Sequence, residues 1–208
     1  MKKLKLLSIL WIISLLFIVD CHNSPDLQSN ETEIRPIDIF QLAMMEDINF
    51  ARTNPSSYAD IRLKILYDKG IDNGGYFYMK NLSPRQSLIF NNSLNIAASD
   101  YVKFLADHNV MGHTCEGTPL TRAIKSGYQG ISIGENIAAS SSDEFSSDIN
   151  TILAAQNFVQ ILIIDMGVSD LGHRMLILSD KYTTAGFGYI RNPKSTYINY
   201  VVQEFGDK

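Results

Sequence analysis

Cysteine is almost absent: only Cys21 and Cys115 occur in the chain. A disulfide framework is therefore excluded, and any folded domain must be held together by its core. No cluster of basic residues appears, and 18 Lys and Arg against 22 Asp and Glu give a net charge of −4, so nucleic acid is not an expected partner. No apolar run reaches the roughly 20 residues that a membrane span needs. The sequence holds neither Gly-x-Ser-x-Gly nor His-Glu-x-x-His, which removes two common hydrolase signatures, and it has no internal repeat.

What the chain does have begins at its N-terminus. "MKKLKLLSILWIISLLFIVDC" places Lys2, Lys3 and Lys5 before an apolar stretch from Leu6 to Val19. This is the pattern of a secretory signal over residues 1–20. "IVDC" at its edge resembles the lipobox of bacterial lipoproteins, with Asp20 departing from the small residue usual before the cysteine. The resemblance implies acylation of Cys21, which would become the mature N-terminus. Two or three acyl chains would hold the protein on a membrane, the outer membrane of a bacterium, where one chain would not suffice. "HNSPDLQSNETEIRP" after it is polar and cannot bury enough surface to fold, so residues 21–36 read as a lipidated cysteine and flexible tether. Setting residues 1–20 aside removes three lysines and Asp20 and takes the net charge to −6. The remainder, 37–208, suits one compact domain.

Within it, Ile37, Phe40, Met44, Ile48 and Ala51 recur at helical spacing behind Pro36. Asn54-Pro55 marks a turn into a second helix ending at Gly70. Residues 71–87 lack a helical period and read as a long loop. The clearest helix is "NNSLNIAASDYVKFLADHN", with Ser93 as its expected N-cap and a stripe of Leu94, Ala97, Ala98, Tyr101, Phe104, Leu105 and His108. "TPLTRAIKSG" is a short helix with Thr118 as cap, Pro119 in the first turn and Gly127 as stop. "GISIGENIAA" reads as a strand, "SSSDEFSSD" as a polar loop and "INTILAAQNFVQILIID" as an apolar helix. "YTTAGFGYIR" and "TYINYVVQEFG" form a hairpin around "NPKS". Helices mixed with a few strands imply an α+β layered domain.

Three stretches place an ionisable residue where an ordered element meets a loop: His113 in "MGHTCEG", Glu135 in "IGENIA", and His173 with Arg174 in "DLGHRMLIL". A carboxylate in a run as apolar as that around Glu135 needs a partner. Arg174 is expected to pair with an acid. His108 belongs to a helix stripe and His22 to the tether; Cys115, two residues after His113, reads as a lone buried thiol, with a metal ligand or nucleophile as the alternative.

The order of a long helix ending near a His, a Gly-Glu-Asn-Ile strand, a helix, Gly-His-Arg, and a Gly-rich hairpin closing on Gln-x-Phe-Gly resembles the CAP superfamily (cysteine-rich secretory proteins, antigen five and pathogenesis-related proteins), in its bacterial, SCP-like extracellular branch. The resemblance covers about residues 37–206. It implies a three-layer α-β-α sandwich with a central antiparallel sheet and an open cleft. It also implies that His113, Glu135 and His173 converge in that cleft with a second acid, Asp165 or its competitor Asp170. Glu135 would then face both histidines. No cofactor is required by this reading, although His113 and His173 could hold a weakly bound divalent metal such as zinc. The function implied is that of a binding module for a lipid, sterol or protein. The alternative is a hydrolase, metal-assisted or acid/base, that uses the His/Glu cleft.

Overall fold

The computed structural model describes residues 38–141 and 148–208. The signal, Cys21 and the tether lie outside these residues, as does most of the polar stretch before the last long helix. Among the described residues no helix is long and apolar enough to cross a membrane.

The first helix, α1 (Ile39–Thr53), starts later than Pro36 suggests, because Asp38 caps it. Asp38 accepts from the Gln41 backbone at 2.8 Å while the Gln41 side chain accepts from the Asp38 backbone at 3.1 Å, a reciprocal capping box. After Asn54, α2 (Pro55–Tyr58) passes through a π-helical turn at Ala59–Leu63 into α3 (Lys64–Asp68). The stretch expected as loop contains a seven-residue helix, α4 (Gly75–Asn81), entered through Gly74 at φ +74°. Only Gly75 and Met79 of α4 are buried, too few to print a period on the sequence. A two-residue strand, β1 (Ile89–Phe90), leads into α5 (Asn92–His108). Its cap is Asn91, not Ser93: Asn91 Oδ1 accepts from the Leu94 N–H at 3.2 Å. Thr118 caps α6 (Pro119–Lys125) as expected, accepting from the Thr121 N–H at 3.2 Å. Then follow β2 (Ile133–Ser140), α7 (Asp148–Ile164), α8 (Gly172–Ile177), β3 (Thr184–Arg191) and β4 (Asn199–Gly206).

The sheet order is β1-β3-β4-β2. The three long strands are antiparallel, and β1 adds a short parallel edge beside β3. Helices cover both faces, giving the α-β-α sandwich of an α+β fold. On one face Phe187, Val201 and Phe205 pack with Phe40, Met44 and Ile48 of α1 and Phe158 and Val159 of α7. On the other, Ile137, Tyr200 and Val202 pack with Tyr101, Val102 and Leu105 of α5.

The α5 face is close-packed for a specific reason. A Cβ at Gly186 would lie 2.1 Å from the Asn95 backbone nitrogen, and one at Gly188 would lie 2.2 Å from the Ala98 carbonyl oxygen. Alternation in "AGFGY" thus sends glycines toward the helix and aromatics toward α1 and α7. Because β4 has helices on both sides, all eight of its residues are buried, including the adjacent polar pair Gln203-Glu204.

Candidate functional site

The site is organised by two cross-strand polar pairs set back to back. In the β2–β4 register Glu135 lies opposite Glu204, and Asn136 opposite Gln203. Successive strand residues point to opposite faces. Glu135 and Glu204 therefore look toward α5 and α6, while Asn136 and Gln203 look toward α1 and α8.

On the α5–α6 side, His113 Nδ1 donates to Glu135 Oε1 at 2.8 Å. Arg122 of α6 donates through Nη2 to Glu135 Oε2. The same guanidinium holds the segment that carries His113, donating through Nη1 to the His113 carbonyl at 3.1 Å and the Gly117 carbonyl at 2.7 Å. Its Cζ lies over the Tyr101 ring, 3.4 Å from the centroid. Tyr101 in turn donates its hydroxyl to the Gly112 carbonyl and accepts from the Cys115 N–H at 3.2 Å. Burial drives the Tyr101 phenol well above its usual range, against the opposing Arg122 charge, so it stays a neutral hydrogen-bonding post. The outcome is a contrast: the Glu135 side chain is 1% exposed and the His113 side chain 55%.

On the other side, Asn136 Nδ2 donates to Gln203 Oε1 at 3.0 Å and to the His173 carbonyl at 3.3 Å. The His173 ring turns away to Asp165, whose Oδ1 accepts from Nδ1 at 2.7 Å. Asp165 ends α7 in the left-handed region, at φ +58°, and its Oδ2 accepts from the Arg174 N–H at 3.1 Å. Asp165, not Asp170, is thus the acid in contact with His173; Asp170 is exposed and accepts from the Gly172 N–H at 3.2 Å. Although Asp165 and Asp72 lie near enough to act on its charge, Arg174 makes no ion pair through its guanidinium among the described residues. It donates to the last carbonyls of α7, Ile163 at 2.5 Å and Ile164 at 2.7 Å, and to the Asn73 carbonyl at 2.9 Å. Those groups lack partners within the helix, and Arg174 closes them.

The four expected residues therefore form two pairs, His113–Glu135 and His173–Asp165. The contacts do not bring both histidines to Glu135, because alternation along β2 puts Glu135 on the face opposite the one that holds His173. Among the described residues no group of three or more His, Cys, Asp or Glu side chains is arranged to hold a metal ion, so His113 and His173 are given no third such ligand there. A surface depression lined by Thr53, Pro84, Arg85, Gln86, Ser87 and Asp180 includes none of the four.

Arg122 and Glu204 escape a reading of single motifs. Glu204 had a signal: two adjacent polar residues inside "YVVQEFG", in a strand buried on both faces, each require a partner on their own side. Arg122 had none, since "LTRAIK" reads as an ordinary amphipathic turn.

With this geometry in view, the model of the CAP family, cysteine-rich secretory proteins, matches residues 72–205. The match begins after α1, although Phe40, Met44 and Ile48 of α1 belong to the same core. No curated protein matches the chain. Among solved structures, an outer surface protein of Borrelia burgdorferi is 16% identical, with 78% of this chain and 93% of that one covered at a TM-score of 0.48. An extracellular protein containing an SCP domain from Bacillus anthracis is 23% identical, with 67% of this chain and 42% of that one covered at a TM-score of 0.42. A cysteine-rich secretory protein of Staphylococcus aureus is 16% identical, with 81% and 38% covered at 0.43. The chain thus spans less than half the length of the Bacillus and Staphylococcus proteins. Because the family model takes in well over half of the sequence, this chain belongs to the CAP, or cysteine-rich secretory protein, family.

Proposed function

We propose that the protein is a bacterial surface lipoprotein, anchored to the outer membrane by acyl chains on Cys21, and that its CAP domain is a non-enzymatic binding module for a lipid, a sterol or a protein partner. The observation that carries the binding role is the exposed His113 ring on a hydrogen-bonded mount. Its Nδ1 is tied to a buried carboxylate, and its backbone is tied to a buried guanidinium. A donor or acceptor fixed before the ligand arrives loses little entropy on binding. Nε2 and the ring face remain for the ligand.

Titration of the soluble domain with a fluorescent fatty acid and a fluorescent sterol, wild type against His113→Ala, tests the apolar ligand class. Saturable binding weakened tenfold or more in the variant supports it, and equal binding overturns it. Metabolic labelling with a clickable fatty acid tests the anchor: Cys21→Ala should lose the tag that the wild type carries, and equal labelling overturns it.

One observation favours a second reading, acid/base hydrolysis. Asp165 orients His173 through Nδ1, which leaves Nε2 in the tautomer of a general base. Hydrolysis of an ester or peptide by the wild type, abolished in His173→Asn with folding retained, would establish it.

A further inference from the structure

Glu204 is fully buried, beside a small cluster of charged groups on its face of the sheet. β2 supplies Glu135, directly opposite. α6 supplies Arg122, whose Nη2 contacts Glu135 Oε2 and lies 3.7 Å from Glu204 Oε1. α5 supplies the Tyr101 ring beneath that guanidinium. The residue opposite Glu204 on β3 is Gly186, which brings no side chain. The segment before α6 brings His113, which reaches the other oxygen of Glu135 and not Glu204.

One buried guanidinium therefore faces two buried carboxyl groups, whose side chains are 0% and 1% exposed. With both ionised, neither oxygen of Glu204 finds a hydrogen-bond donor, and the cluster carries an uncompensated charge away from water. Two carboxylates cannot bond each other. A carboxyl and a carboxylate can, and one proton supplies both the missing donor and the missing charge balance. We propose that Glu135 and Glu204 hold a single proton between them at neutral pH, with Glu204 the protonated partner, so that the wall beneath His113 is net neutral. The same direction follows from the forces on Glu204: burial first, then the Glu135 carboxylate beside it, push its carboxyl well above the ordinary range, with Arg122 opposing them.

This assignment makes Glu204 a positioning residue for the His113 contact and a determinant of what that contact accepts. With the proton in place, Glu135 and Arg122 neutralise each other, and the wall adds no net charge behind His113. Loss of the proton adds a negative charge that Arg122 cannot also balance, and the wall then favours a cationic group. The proposal concerns the protein's own charge and holds whatever the cleft binds.

Carbon-13 NMR of protein labelled at glutamate carboxyls reads the proton directly. In the wild type, one resonance should sit at the protonated position at about pH 7 and move only at higher pH, far above the ordinary glutamate value of about 4.3. That resonance should be missing in Glu204→Gln. In Glu135→Gln, Arg122 is freed to pair with Glu204, so the midpoint should fall by about one pH unit or more. A wild-type spectrum in which every glutamate carboxyl titrates in the ordinary range overturns the proposal without recourse to any variant. An unchanged midpoint in Glu135→Gln overturns the sharing.

Discussion

Glu135 accepts from His113 with one carboxylate oxygen and from Arg122 with the other, so one buried side chain joins an exposed ring to a buried cation. The answer to why a carboxylate sits in so apolar a strand is that Arg122 balances it from α6, and Arg122 also grips the backbone that presents His113. The placement of the exposed His113 ring and the charge balance of the interior thus depend on the same ion pair.

Arg122→Leu removes the guanidinium that lies over Tyr101 and leaves Glu135 buried without its cation. Removing one partner of a buried pair costs about 3–5 kcal/mol. Adding Glu135→Gln should recover a substantial part of that loss, because residues in one network couple by about 0.5–3 kcal/mol. Denaturant unfolding of the two single variants and the double variant checks this. Additive losses would mean that the pair is not coupled.

Glu204 makes stability depend on pH with a definite sign. Its carboxyl is raised in the folded state, so the folded protein holds a proton that the unfolded chain releases above about pH 4.3. The stability associated with that proton is complete below the unfolded value and is lost as pH rises toward the folded one. Glu204→Gln, which cannot ionise, should therefore gain on the wild type as pH rises from about 4.3, by at most about 1.4 kcal/mol per pH unit. Chemical denaturation of both proteins across pH measures the difference. A gap that stays constant would show that Glu204 titrates alike in both states.

Gly188→Ala places a methyl group against the Ala98 carbonyl, where a Cβ would lie 2.2 Å away. The contact is backbone on backbone, so no side chain can swing aside. Overpacking of this kind costs about 1–3 kcal/mol. The melting temperature should drop accordingly, while Gly70→Ala, with nothing within 4 Å of its added Cβ, should lose only what its positive φ demands.

The α5 helix was readable because its stripe recurs at helical spacing over 17 residues, and nine of those residues are buried. Helix α4 was not, because seven residues opening on glycine and burying two side chains carry no period. Strand β1, two residues long, is defined by its ladder to β3 and not by its own composition. At the site, His113, Glu135 and His173 stood out from their apolar or Gly-rich surroundings, while Asp165 entered only through the family resemblance. Their pairing did not, since it follows from the register of β2 on β4, and register is a property of two strands that one strand's pattern does not encode. The expectation that both histidines meet Glu135 failed at that point. Adjacent residues of one strand must face opposite ways, so Glu135 serves His113 while Asn136 touches the His173 backbone.

The binding role of the His113–Glu135 contact is tested most directly by unbiased mass spectrometry of what co-purifies with the native, full-length protein, wild type beside His113→Ala. The account predicts at least one lipid, sterol or protein retained by the wild type and depleted tenfold or more from a folded variant. Identical co-purifying species in the two preparations would contradict it.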